Sequence, residues 1–196
     1  MKAYLAEMIG TLVLSLAVMA SFQSNIITTP LVASLTLGLM VYLLGPISGC
    51  HINPAVSFGL KWANLINTKQ LFGYVISQFA GAGVAYLIAT NMLGITWAAP
   101  QASAGMMTGV GEILGTTILV MGVTMVVLNK ISYFLSGIVI GMSLLLGIII
   151  ATTTGAGVLN PAVALSLQSG STTYLISPLI GAILGVEIAK ILKSNK

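Results

Sequence analysis

Six long apolar runs constrain the fold of this chain more than any other feature. Each run has about 20 residues, which is the length that an α-helix needs to cross the hydrocarbon core of a bilayer. Only 5% of the residues are charged, whereas a soluble domain has about 25%. A soluble fold of this size could not cover its surface with so few charges. We therefore predict six transmembrane helices, at about residues 3–23, 31–48, 70–93, 108–129, 133–153 and 174–192.

The positions of the charged residues support this number of helices. All 7 cations are lysines, and they are scattered singly, so they form no basic surface for nucleic acid. With six crossings, every lysine falls on the side of the two termini, which the positive-inside rule names as the cytoplasm. We expect a multi-pass protein of the cell (plasma) membrane with both termini cytoplasmic. The lysines are Lys2, Lys61, Lys69, Lys130, Lys190, Lys193 and Lys196.

Two shorter apolar stretches remain, at about residues 49–63 and 154–169. Both are too short to span a bilayer, and runs of this kind are typically re-entrant or buried against protein. Each stretch contains the same four-residue string. Two copies would seldom arise by chance in a chain with only 6 prolines. The two strings are Asn53-Pro54-Ala55-Val56 and Asn160-Pro161-Ala162-Val163.

The chain also repeats itself once. Glu7 precedes Asn53 by nearly the same interval as Glu112 precedes Asn160, and each glutamate lies in a similar apolar helix. Because each half has three crossings, an odd number, the second half must be inverted relative to the first. Inverted repeats of this kind bring their interrupted helices together at the membrane midplane. We expect a single domain over residues 1–196, with repeats at 1–95 and 105–196.

Each Asn-Pro pair predicts the start of a short helix. Asparagine is a preferred N-cap residue, and proline is favoured in the first turn, where its missing N–H is not needed. We predict half-helices at about residues 53–62 and 160–168. Two helix N-termini that meet at the midplane produce a positive potential there. Together with the amide donors of Asn53 and Asn160, this potential would pass neutral molecules and repel cations, including protons.

The sequence resembles the major intrinsic protein family, the aquaporins and glycerol facilitators, over nearly the whole chain. The resemblance rests on both strings, on the spaced glutamates, and on residues 48–56, Ser-Gly-Cys-His-Ile-Asn-Pro-Ala-Val, which are similar to the family's first signature. It implies an all-α membrane protein with six transmembrane helices and two re-entrant half-helices, arranged as two inverted three-helix repeats. It also implies a homotetramer in the lipid bilayer, with one pore per subunit and passive flow of water or small neutral solutes.

The second string departs from the family pattern. Most members have an arginine directly after it, at the outer constriction of the pore, whereas this chain has Val163 there and no arginine anywhere. Counting from the two strings places the other constriction positions at Ile148, Gly157 and Ala33. We therefore expect an apolar, wide constriction that passes glycerol, urea, ammonia or hydrogen peroxide. The alternative is a constriction so apolar that it excludes water and conducts little.

Glu7, Glu112 and His51 are ionisable residues that lie within the predicted membrane region. For Glu7 and Glu112, bracing the re-entrant backbone is favoured over lining the pore or relaying protons, because the loops contain many N–H groups that need acceptors. The family resemblance favours the same role. His51 lies two residues before Asn53, on the predicted cytoplasmic approach. A structural hydrogen bond and a pH-sensing vestibule role both stay open for it.

The sequence offers no catalytic or metal-binding set. It has 1 His, 1 Cys and no Asp, so metal ligands are missing and no nucleophile is paired with a base. We expect neither an enzyme nor a cofactor. A secondary active transporter is the main alternative, because inverted repeats and broken helices also occur there. Ion coupling would require charged groups beside the two strings, where the sequence places none. A junction-forming protein is a third alternative. The short external loops disfavour it, because they offer little surface for adhesion.

Overall fold

The structure, a computed structural model, describes residues 1–24, 26–97, 105–128 and 131–193. Within this part of the chain all regular elements are helical, and six helices are long and apolar enough to cross a membrane. A π-helical turn at Ile88–Met92 continues the fourth α-helix, and a 3-10 turn at Tyr133–Leu135 precedes the sixth. The α-helices are α1 (Lys2–Ser21), α2 (Thr29–Ser48), α3 (Pro54–Trp62), α4 (Thr68–Leu87), α5 (Met106–Val127), α6 (Ser136–Ala151), α7 (Pro161–Ser166) and α8 (Thr172–Leu192).

The six predicted spans agree with the long helices to within two residues at each end, counting the 3-10 and π turns. The half-helices α3 and α7 each begin one residue later than predicted, because the asparagine is the cap and not the first helical residue. α7 also ends two residues early. Gln168 there takes a left-handed conformation, with φ of 60°, which terminates the helix. Asn25, residues 100–104 and the lysines Lys130 and Lys196 lie outside the described residues.

The order of elements repeats along the chain: two long helices, a half-helix and a third long helix. In each repeat the first long helix packs extensively against the last, α1 against α4 and α5 against α8. In addition, α6 packs against both α2 and α5. Each half-helix packs against the last helix of the other repeat, α3 against α8 and α7 against α4. The two repeats therefore share one interior.

Large apolar side chains cover the outer faces of the helices. Leu35, Ile76 and Leu146 are 59%, 68% and 50% exposed. Buried polar side chains lie instead between the helices, where Glu7 is 0% and Glu112 1% exposed. This distribution suits a chain whose surrounding solvent is lipid and whose polar groups must be satisfied internally.

Glycines at equivalent positions allow the closest helix crossings. A Cβ on Gly81 of α4 would overlap the carbonyl oxygen of Met8 in α1, and a Cβ on Gly181 of α8 would overlap that of Ile113 in α5. Small residues at such crossings let helix backbones approach within a bilayer. These crossings position the buried glutamates, because Glu7 directly precedes Met8 and Glu112 directly precedes Ile113.

Gly81→Ala is expected to lower the melting temperature of the purified protein in detergent. The added methyl group would force α1 and α4 apart, and overpacking of this kind costs about 1–3 kcal/mol. Gly83→Ala is the matched control, because a Cβ at Gly83 in the same helix meets nothing within 4 Å. We expect the control to melt at the wild-type temperature or slightly above it, since alanine favours helix more than glycine. Equal losses in both variants would contradict this account of the crossing.

Candidate pore

Asn53 and Asn160 each hold the backbone of the other's loop. The Nδ2 of Asn53 donates to the carbonyl oxygen of Leu159 at 2.9 Å. The Nδ2 of Asn160 donates to the carbonyl oxygen of Ile52 at 3.0 Å. These reciprocal hydrogen bonds bring the N-termini of α3 and α7 together inside the protein.

The same two asparagines cap their own half-helices. The Oδ1 of Asn53 accepts from the N–H of Ala55 at 2.8 Å, and the Oδ1 of Asn160 accepts from the N–H of Ala162 at 3.0 Å. Side-chain caps of this kind satisfy backbone donors that have no partner within the helix. The intervening prolines, Pro54 and Pro161, occupy the first helical position, where no N–H is required.

The residues before the asparagines have unusual backbones. Ile52 has φ of 40° and Leu159 has φ of 56°, and a left-handed conformation is a genuine outlier for a β-branched residue such as Ile52. The surroundings fix each of these peptides at both ends. Their N–H groups donate to Glu7 Oε2 at 2.6 Å and to Glu112 Oε2 at 2.7 Å, respectively. Their carbonyls accept from the opposite asparagine, so each glutamate helps to aim a carbonyl across the pore.

The carboxylate of Glu7 accepts four hydrogen bonds. Its Oε1 accepts from Ser48 Oγ at 2.6 Å and from the N–H of His51 at 2.9 Å. Its Oε2 accepts from Gln78 Nε2 at 2.8 Å, in addition to the N–H of Ile52. This number matches the lone-pair sites of a carboxylate. The loop before α3 is therefore fixed to both α1 and α4.

Glu112 accepts fewer hydrogen bonds within the described residues. Its two oxygens accept only from the N–H groups of Val158 and Leu159, each at 2.7 Å. One of the two missing donors is explained by the partner helix: counted from the equivalent glycines of α4 and α8, Pro178 stands where the first repeat has Gln78. Proline has no side-chain donor, so the second loop lacks that contact.

His51 lies inside the first loop and has a hydrogen-bond partner. Its Nδ1 is 3.0 Å from Ser57 Oγ, and its ring packs edge-on against Tyr74 with centroids 4.9 Å apart. Tyr74 in turn donates to the carbonyl of Ser48 at 2.5 Å. The sequence pattern did not single out Tyr74 or Gln78. The signal was present, since both are polar, one turn apart, in an apolar helix.

The far ends of the half-helices are also tied to the opposite repeat. Trp62 at the end of α3 donates through Nε1 to Glu187 Oε1 of α8 at 2.8 Å. Gln168 after α7 donates through Nε2 to the hydroxyl of Tyr86 in α4 at 2.7 Å. Each half-helix is thus held at its inner end by an asparagine and at its outer end by a second polar contact.

A cavity of about 550 Å³ passes between the two half-helices. Its lining extends along α2 from Pro30 to Gly45, which is about 22 Å of helix and most of the thickness of a bilayer core. Asn53, Asn160 and His51 are among the residues that line it. The cavity therefore has the length and position of a transmembrane pathway.

All four predicted constriction positions line this cavity. Ala33, Ile148 and Val163 are 5%, 7% and 4% exposed, and Gly157 takes a left-handed backbone with φ of 65°. They lie on the α7 side of the asparagine pair, away from His51. The structure therefore brings together residues that are far apart in the sequence, and none of these four side chains can form a hydrogen bond.

Residues 1–189 match the sequence model of the family described as Major intrinsic protein. The chain belongs to the major intrinsic protein family. It is 30% identical to the glycerol uptake facilitator protein-like 6 of Lactiplantibacillus plantarum, over 100% of both chains. It is 29% identical to the aquaporin NIP1-1 of Arabidopsis thaliana, over 96% of this chain and 72% of that protein.

A solved structure shares the fold. The aquaglyceroporin from Plasmodium falciparum superposes with a TM-score of 0.77, over 98% of this chain and 96% of that chain, at 21% identity. The predicted family and the predicted fold class, six spans and two half-helices in inverted repeats, are confirmed. Members of this family are channels, so the protein is a multi-pass membrane channel and not an enzyme.

Replacing Glu7 or Glu112 by leucine is expected to lower the melting temperature of the protein in detergent. The loss is expected to be larger where more hydrogen-bond donors are left without a partner. Glu7→Leu strands four donors and Glu112→Leu strands two. Each unpaired buried group costs about 1–3 kcal/mol, so the first variant is expected to lose at least about 2 kcal/mol more than the second.

Glu187→Leu serves as the control for these variants, because the Glu187 side chain is 46% exposed and water can replace its partners. We expect it to melt close to the wild type. A variant of Glu112 that is less stable than that of Glu7 would contradict the hydrogen-bond assignment.

Proposed function

We propose that the protein is a passive channel for water and small uncharged solutes. The observation that carries this proposal is the asparagine pair, whose members line one long cavity and hold each other's loops. A primary amide has two N–H donors. One donor of each asparagine is used by the opposite loop, and the other is available to a molecule in the cavity.

Cation exclusion is proposed to arise at the same point. The N-termini of α3 and α7 meet there, and each helix N-terminus carries a partial positive charge of up to about 0.5. The buried carboxylates of Glu7 and Glu112 do not line the cavity. Their oxygens face the loop donors instead, so they offer a cation no binding site along the pathway.

The width of the channel is proposed to exceed that of a strict water pore. Val163 stands where most of the family has arginine, and its neighbours Ala33, Ile148 and Gly157 add no polar side chain. Glycerol, urea, ammonia and hydrogen peroxide are the solutes we propose beside water. The names of the two relatives, a glycerol uptake facilitator and an aquaporin, support glycerol and water.

The proposed assembly and orientation are supported by the family and by the lysines. The family supports a homotetramer with one pore per subunit. The lysines of the described residues lie at the start of α1, the end of α3, the start of α4 and the end of α8. These points fall on one side of a six-span topology, which we propose is cytoplasmic.

The channel reconstituted in liposomes is expected to pass glycerol as well as water, measured by stopped-flow light scattering. Val163→Arg is expected to reduce glycerol flux at least about fivefold, the effect of roughly 1 kcal/mol added to the barrier, with a smaller loss of water flux. Ile26→Arg is the control, because Ile26 is 97% exposed in the loop after α1 and does not line the cavity. Strict water selectivity of the unmodified protein would refute the wide constriction.

Asn160→Asp is expected to open a leak for sodium ions, measured with a sodium-sensitive dye inside the liposomes. The new carboxylate can still cap α7 through the N–H of Ala162, but it places a negative charge on the pathway in place of a donor. Asn67→Asp makes the same change at the exposed cap of α4, where the side chain accepts from the N–H of Gln70. No leak is expected from it. Equal sodium flux through both variants would count against midplane exclusion.

A further inference from the structure

One end of the cavity lies far from the four predicted constriction positions. Gly45 follows Ala33 by more than three turns of α2, about 18 Å of helix. Val127 and Tyr133, which also line this end, are 41% and 58% exposed, so they lie at the edge of the cavity and not in its interior. We call this end the inner mouth and define it by the lining residues Gly45, Gly49, Val126, Val127 and Tyr133. Tyr133 has the largest side chain of the set.

A glycine faces the ring of Tyr133 across the inner mouth. The residues of α2 that line the cavity follow one helix face in four-residue steps, and Gly45 takes the position after Leu37 and Val41. A Cβ built on Gly45 would lie 3.7 Å from the hydroxyl oxygen of Tyr133 and 3.9 Å from its Cε2, which are ordinary van der Waals distances. A ring that approaches the backbone of α2 this closely covers part of the opening.

The turn that carries Tyr133 is attached to α2 by Tyr42, which does not line the cavity. The hydroxyl of Tyr42 donates to the carbonyl oxygen of Phe134 at 2.9 Å and accepts from the N–H of Ile138 at 3.3 Å. A Cβ on Gly137 would overlap the ring of Tyr42, so the start of α6 packs closely on that ring. These contacts fix the backbone directly after Tyr133 relative to α2.

We propose that Tyr133 is a specificity-determining residue that sets the width of the inner mouth, and that Tyr42 is a positioning residue for it. This inference rests on the proposed channel function and deepens it. Channels of this type select in part by the diameter of the pore. Because the ring of Tyr133 acts by its volume, it hinders glycerol more than water. The inner mouth, and not the outer constriction, is then the part of the pathway that separates these two solutes by size.

Tyr133→Ala is expected to raise glycerol flux through reconstituted liposomes at least about threefold and water flux by less than about twofold, because a barrier of steric origin falls most for the larger solute. Tyr133→Phe keeps the ring and is expected to show the wild-type glycerol-to-water ratio. Tyr133→Trp is expected to lower that ratio. Phe134→Ala is the matched control, because it removes the next ring of the same turn, which is 82% exposed and does not line the cavity.

Substitutions at Gly45 test the proposed contact from the other side of the mouth. Gly45→Leu is expected to lower glycerol flux at least about threefold, since its side chain must share the opening with the ring of Tyr133. In the Tyr133→Ala channel the same substitution is expected to cost less, because residues in contact give non-additive effects. Gly45→Ala is the control and is expected to resemble the wild type, since its Cβ fits at van der Waals distance.

Tyr42→Phe tests the positioning role. It keeps the ring that packs on Gly137 and removes both hydrogen bonds to the turn. The glycerol-to-water ratio is expected to rise, by a smaller factor than in Tyr133→Ala, and no further rise is expected when the two changes are combined. A merely structural role for Tyr42 would lower the melting temperature and leave this ratio as in the wild type.

The outcomes distinguish this inference from the channel function itself. A glycerol-to-water ratio that neither Tyr133→Ala nor Tyr133→Trp changes would overturn the role of Tyr133 while the channel function stands. Equal increases in Tyr133→Ala and Phe134→Ala would also overturn it, since a ring outside the cavity would then matter as much. A gain of flux cannot come from misfolded protein, so the expected rise is not a folding defect. Flux of water and glycerol no greater than in empty liposomes, for the unmodified protein, would overturn both proposals.

Discussion

The hydrogen bonds that cross between the two loops are the contacts on which the rest of the pore depends. Irregular backbone inside a bilayer survives only if its polar groups are satisfied by protein or by a watery cavity. Here the carbonyls of Ile52 and Leu159 are satisfied by the opposite asparagine, and their N–H groups by Glu7 and Glu112. These contacts depend on one another. Without the glutamate, the N–H group of the left-handed residue has no acceptor, and without the carbonyl of that residue the opposite asparagine has no acceptor for its amide donor.

The two repeats preserve backbone geometry better than they preserve side chains. The left-handed residue before each asparagine, the cap and the proline recur in both loops. One surrounding polar group does not recur, because Gln78 has Pro178 as its counterpart. The loop before α3 is therefore held by more hydrogen bonds to its glutamate's surroundings than the loop before α7.

The transmembrane helices could be predicted because their cause, the length of an apolar run, is local. The starts of the half-helices could be predicted for the same reason, since an asparagine cap and a proline act within one turn. The end of α7 was missed because Gln168 takes a left-handed backbone without the glycine that usually signals it. Likewise, no local pattern pairs Glu7 with Gln78, since the two are 71 positions apart and meet only after α1 crosses α4.

The packing of α3 on α8 constrains the order in which the protein can be made. α3 leaves the ribosome before α8, which supplies its neighbour Ala182 and the acceptor for Trp62. The Asn53 amide likewise cannot form its hydrogen bond to the Leu159 carbonyl until Leu159 has been synthesised. During synthesis the first re-entrant segment therefore lacks these partners until α8 has emerged. The contacts around this segment are therefore completed only once α8 has been made, and a chain that lacks α8 would leave Trp62 without this acceptor.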